Sequence, residues 1–149
     1  MTIHVLAPVA GRVVPLSAVP DPVFAEAMVG PGLAIDPRRA AGTAVSPVDG
    51  EVASLHPHAF VVAGQHGCAV LVHLGIDTVR LDGAGFTLLV AEGDTVTSGQ
   101  PLIRWDPAAV EAGGLSPLCP VIALDAAADR LLDRADGEVE SGTRLFSWV

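Results

Sequence analysis

Apolar and polar positions along this chain alternate in short runs, and glycine or proline breaks most of them within a few residues. The pattern predicts strands at Ile3–Leu6, Gly11–Leu16, Leu33–Asp36, Gly50–Leu55, Ala59–Ala63, Ala69–His73, Phe86–Val90, Pro101–Trp105, Val121–Leu124 and Arg144–Trp148. Two short helices are predicted between them. Asp106–Gly113 has an N-cap aspartate, proline at the first helical position and a closing glycine. Asp125–Arg134 is read as the second, with Leu131 and Leu132 facing inward. Pro20–Met28 is expected to form a helical turn after Pro22.

Two segments repeat. Ala7-Pro-Val-Ala-Gly11-Arg-Val13 returns as Ser46-Pro-Val-Asp-Gly50-Glu-Val52, and Val96-Thr-Ser98-Gly99-Gln-Pro-Leu102 returns as Val139-Glu-Ser141-Gly142-Thr-Arg-Leu145. Each unit is a strand, a glycine turn and a strand that can bury only one face alone. Paired copies supply the missing face, which implies pseudo-twofold packing. The fold class expected is mostly β: an antiparallel β-sandwich or barrel-like domain of duplicated hairpin motifs with short helices, one domain over residues 1–149.

Composition narrows the function. Half the residues are apolar and 17% are charged, which suits a packed core. The net charge of −9 argues against nucleic acid and anionic membranes and favours a basic protein partner. No signal peptide or bilayer-length apolar run is visible, so a cytoplasmic location without membrane insertion is expected. All eight basic residues are arginines. The absence of lysine excludes a P-loop, a Schiff base and a lysine-tethered cofactor. Cys68 and Cys119 form no Cys-x-x-Cys pair and read as reduced, packed thiols.

Candidate chemistry gathers on histidine. The run from Ala69 ends at His73, followed by Gly75 and Asp77, while His56 and His58 lie upstream on the facing arm of a hairpin. Hairpin pairing would bring the His58 and His73 rings together. From the residues alone, such a pair suits metal binding, acid–base work or a phosphoryl-carrying histidine. His4 and His66 read as surface residues.

The stretch Gly67–Val79, together with His58-Ala-Phe60, Val19-Pro-Asp21-Pro-Val-Phe24-Ala-Glu26 and the paired hairpins at Ala7 and Ser46, resembles the glucose-class enzyme IIA domain of the bacterial sugar phosphotransferase system. The resemblance runs from about Val5 to the C-terminus. It implies a phosphotransferase component that carries a phosphoryl group from the phosphohistidine of HPr to a cysteine of a IIB domain, for uptake of sugars of the glucose or N-acetylglucosamine class. His73 would be the acceptor, as a tele-phosphohistidine, and His58 would stabilise the phosphoryl group by donating a hydrogen bond. His56, Gly75, Asp77 and Thr78 would support the site. Asp21, Val23, Phe24, Phe60 and Leu71 would serve docking. The resemblance requires no cofactor, leaves room for an interfacial zinc on His58 and His73, and suggests metabolic enzymes or permeases as partners sensitive to phosphorylation. One position departs from the family, which often has threonine two residues before its second histidine; here it is His56.

Other classes remain for comparison. A zinc-dependent hydrolase could use His56, His58, His73 and Asp77 as ligands. Glu92–Leu102 resembles lipoyl- and biotinyl-carrier hairpins, but the missing lysine removes their attachment point. A purely structural binding module leaves the histidines unexplained.

Overall fold

The computed structural model describes residues 2–149. Its strands are β1 (Ile3–Leu6), β2 (Gly11–Pro15), β3 (Gly32–Pro37), β4 (Gly42–Val45), β5 (Gly50–His56), β6 (Ala59–Ala63), β7 (Ala69–His73), β8 (Thr87–Leu88), β9 (Thr95–Val96), β10 (Pro101–Trp105), β11 (Cys119–Ala123), β12 (Leu131–Leu132), β13 (Glu138–Val139) and β14 (Arg144–Trp148). An eight-stranded antiparallel sheet runs β13-β2-β3-β11-β7-β6-β5-β9, and two three-stranded sheets run β1-β14-β12 and β4-β10-β8.

Alternation along the large sheet sorts its residues between two cores. Ile35, Val52, Phe60, Val62, Val70, Val72 and Val121 face the small sheets and pack with Val5, Phe146, Ile103 and Trp105. Ala34 and Ile122 face the other way, where the segment after β2 covers the sheet with Leu16, Val19 and Phe24. That covering segment contains α1 (Pro22–Ala25), a single turn capped by Asp21, whose carboxylate accepts the Val23 N–H at 2.9 Å. The helical turn expected after Pro22 is present, with proline at N1, and Asp21 adds an N-cap beyond that expectation.

The duplication read from the sequence is present in the hydrogen bonds. Gly11 pairs with Val139 and Gly50 with Val96, which are equivalent positions of the two repeats. The Ala7 N–H donates to Thr143 O and the equivalent Ser46 N–H to Gln100 O. The copies also exchange bonds, Leu6 N–H to Pro47 O and Val45 N–H to Pro8 O. Glycine is required at both repeat positions. A Cβ on Gly11 would overlap the Asp36 carbonyl, and one on Gly50 the Ala63 carbonyl.

Some expectations fail. Residues 125–134 are not a helix: a 3-10 turn at Ala128–Arg130 leads into β12, whose Leu131 pairs with Trp148 of β14. Strand alternation then buries Leu131 and leaves Leu132 48% exposed, so the two leucines do not face inward together. Left-handed backbone at Asp125 and Asp133 bounds the segment and prevents helical continuation. The strand expected over Phe86–Val90 shrinks to Thr87–Leu88, and β4 was not foreseen because Gly42-Thr-Ala-Val45 has little apolar alternation. The helix at 106–113 is present as α2 (Pro107–Ala112), with the Asp106 carboxylate accepting from the Ala108 N–H.

Candidate active site

Three antiparallel strands build the site. β5 turns into β6 through Pro57 and His58 alone, and β6 returns as β7 with Ala59 opposite His73. His58 therefore lies in the turn, not on β6 as the hairpin reading had it. The turn is held by the Leu74 N–H, which donates to His58 O at 2.7 Å. The His58 and His73 ring centroids stand 5.1 Å apart, edge to face, and the His56 ring lies 5.9 Å from that of His58.

Past β7 the chain turns sharply. Gly75 has φ +82°, and its carbonyl accepts a hydrogen bond from His73 Nδ1 at 2.5 Å. A ring that donates from Nδ1 leaves Nε2 unprotonated, with its lone pair directed away from the backbone. Phe24 of α1 packs against the other side of the ring, at 5.3 Å between centroids. The imidazole is thus fixed in both tautomer and orientation.

Burial, and then the repulsion a charged His58 would meet from the His73 and His56 rings were they also protonated, holds the His58 pKa below the ordinary histidine value. Burial is also the main cause that lowers His73; the Gly75 carbonyl, Asp21 and Asp77 oppose it, and His56 adds to it. Both rings are therefore neutral near pH 7. Below the ordinary value, about 6.5, the unfolded chain binds protons that the folded chain still refuses, so stability rises with pH through that window. The urea midpoint is expected to fall as pH drops from about 7.5 to about 5, and to fall less in His73→Gln, which lacks one of these groups. An equal fall in the two proteins would contradict this origin.

The other expected site residues divide. Asp21 lies close enough to His73 to affect its proton affinity while capping α1. Asp77 is exposed, in left-handed backbone, and carries the same sign of effect. Val23 is 40% exposed, and Leu71 is half-buried on the face of β7 that carries His73. Two readings are corrected. Thr78 cannot donate to a group on His73, because it is wholly buried and its hydroxyl donates to Leu74 O at 2.8 Å. It closes the turn after β7 instead. Phe60 is no rim residue: it is 1% exposed and points into the main core opposite Val72. Its neighbour Val61, opposite Leu71, occupies the outer face. A strict register count across the hairpin would have made that exchange from sequence. Among the described residues, no group of three or more His, Cys, Asp and Glu side chains is placed to hold a metal ion.

The family described as "phosphoenolpyruvate-dependent sugar phosphotransferase system, EIIA 1" matches residues 3–128. The chain belongs to this family. It is 44% identical over 122 residues to the glucose-specific EIIA component of Oceanobacillus iheyensis, spanning 80% of this chain and 73% of that protein. Against the glucoside-specific EIICBA component of Staphylococcus carnosus it is 38% identical over 144 residues, 95% of this chain and 20% of that one. The solved glucose permease IIA from Mycoplasma capricolum superposes with a TM-score of 0.91 at 34% identity, covering 99% of this chain and 96% of that chain.

This EIIA chain is accordingly a glucose-class phosphoryl carrier and a phosphotransferase component of the sugar phosphotransferase system. Its antiparallel β architecture is that of the solved IIA protein. The family is cytoplasmic, needs no cofactor and exchanges phosphoryl groups with HPr and IIB domains. Membership displaces the zinc-hydrolase alternative. Among the described residues, no helix is long and apolar enough to cross a membrane.

Proposed function

We propose that this chain, acting over residues 1–149 as one EIIA domain, carries its phosphoryl group on Nε2 of His73. The observation that carries the reading is the Nδ1–H bond to Gly75 O, which leaves Nε2 as the free nucleophile beside His58. The Nε2 lone pair attacks the phosphorus of phospho-HPr. The N–P bond to the HPr histidine breaks, and its electron pair stays with that ring. The N–P bond formed on His73 then breaks in turn as a IIB cysteine thiolate attacks, giving an S–P bond and returning His73 to its neutral tautomer. Such transfers ask mainly for in-line positioning and charge neutralisation.

His58 donates an N–H to a phosphoryl oxygen. Asp21, Asp77 and the net charge of −9 favour a basic donor, while exposed Val23 and half-buried Leu71 contribute the apolar part of the docking face; Phe24, expected there too, is only 7% exposed and instead packs beneath it against His73. The relatives named glucose-specific support glucose as the sugar served. Partners that respond to phosphorylation would read the same face, because a phosphoryl group there replaces a neutral ring with a dianion. The His58–His73 pair could also share a zinc ion with a partner that brings the remaining ligands.

The test is incubation with enzyme I, HPr and phosphoenolpyruvate, followed by intact mass. An acid-labile, alkali-stable adduct on one site is expected, and its absence would end the reading. His58→Gln should still form the adduct but pass it to a IIB domain about 10²-fold more slowly. An amide can donate a hydrogen bond, yet it cannot share a proton as charge moves. Unchanged transfer would remove His58 from the mechanism.

A further inference from the structure

The strand register gives His56 a defined place beside the two site histidines. His56 of β5 is directly opposite Ala59 of β6, and Ala59 is directly opposite His73 of β7. Residues paired in this way point to the same face of a sheet. His56, Ala59 and His73 therefore form one row across three strands, with a single methyl group between two imidazoles. His58, from the turn just before Ala59, stands between the ends of the row, its ring 5.9 Å from that of His56 and 5.1 Å from that of His73. Ala59 itself is 5% exposed.

The exposed His56 ring is not left to wander with a loose strand end. The Leu55 N–H donates to Glu92 Oε1 at 3.1 Å, and the His58 carbonyl accepts from the Leu74 N–H just past β7. Among the described residues His56 makes no side-chain hydrogen bond, so its ring N–H is available to a group held on His73 on the same face of the sheet. A phosphoryl group on His73 brings two negative charges and three acceptor oxygens to that face.

We propose that His56 is a further phosphoryl-binding residue, donating an N–H to an oxygen of the group carried on His73 alongside His58. This rests on His73 being the acceptor. The added donor stabilises the phosphorylated state, whose charge an apolar or small side chain at this position would leave to solvent.

The experiment measures the equilibrium of phosphoryl exchange with phospho-HPr for the wild-type protein, His56→Ala and His56→Gln, with ring ¹⁵N spectra before and after phosphorylation. The wild-type protein and His73→Ala are run first, so that failure of the acceptor assignment is seen separately; such a failure would overturn this proposal as well. Loss of a hydrogen bond to a charged group at this half-open position should shift the equilibrium roughly tenfold against His56→Ala. His56→Gln, which keeps a donor, should recover most of that loss. The His56 ring signals of the wild-type protein should move on phosphorylation. An unchanged equilibrium in His56→Ala, ring signals that stay in place, or a His56→Gln as impaired as the alanine variant would each overturn the proposal.

Discussion

His73→Ala is expected to accept no phosphoryl group at all while keeping its fold. The ring is the only nucleophile at the end of β7 that the structure holds in a single tautomer, through Nδ1 and the Gly75 carbonyl. Its removal deletes the nucleophile itself, so the loss should be complete and not a matter of rate. The structural cost should be small by comparison, because the ring is only half-buried and its main packing partner, Phe24, stays anchored among Leu16, Val19 and Ile122. A fall of about 1–2 kcal/mol in unfolding free energy is expected by denaturant titration. Intact mass after incubation with the donor system reads the chemistry. A stable adduct in this variant would move the acceptor elsewhere, with His58 the first place to look.

Gly75→Ala should produce the second-largest effect and do so without touching an imidazole. At φ +82° an L-residue is strained, and the new Cβ would stand 2.6 Å from Thr78 Cγ2 and 3.1 Å from Ser116 O. Thr78 has no room to yield, being wholly buried and bonded to Leu74 O. The turn has to shift, and the carbonyl that orients His73 shifts with it. Strain and crowding together should cost about 2–3 kcal/mol, or roughly 5–10 °C in Tm. Phosphoryl acceptance should slow on the order of 10²-fold, the usual penalty for a nucleophile displaced by about an ångström. Loss of stability with full acceptance would show that the ring needs no help from this carbonyl.

These two variants also mark where the sequence could be read and where it could not. The β6–β7 hairpin was legible because its apolar runs are long, alternate cleanly and end at glycine-rich turns; Ala59–Ala63 and Ala69–His73 stand as expected. The N-cap at Asp106 and the turn after Pro22 were legible for the same local reason. The segment around Leu131 was not, since alanine-rich composition favours a helix locally while pairing with Trp148 decides the outcome from the far end of the chain. Within the site, the meeting of His58 and His73 was readable, but the directions of side chains were not. Phe60 and Thr78 both turned inward, one by strand parity and one by a backbone hydrogen bond that no composition rule reports. The row through His56, Ala59 and His73 needed the register of two strand pairs at once.

The two repeats close their hairpins very differently. Between β5 and β6 lie two residues, while the matching gap between β2 and β3 holds the whole excursion that caps, covers and presents Asp21 and Phe24. A duplicated frame has thus been made asymmetric by connection length alone. The short connection tolerates almost no change, because any added residue would break the alignment of the rings. The long one can vary at its exposed positions, provided Leu16, Val19 and Phe24 still cover the sheet. One half of the molecule thus supplies the reacting rings, and the other supplies the exposed surface around them together with the Phe24 contact that steadies His73.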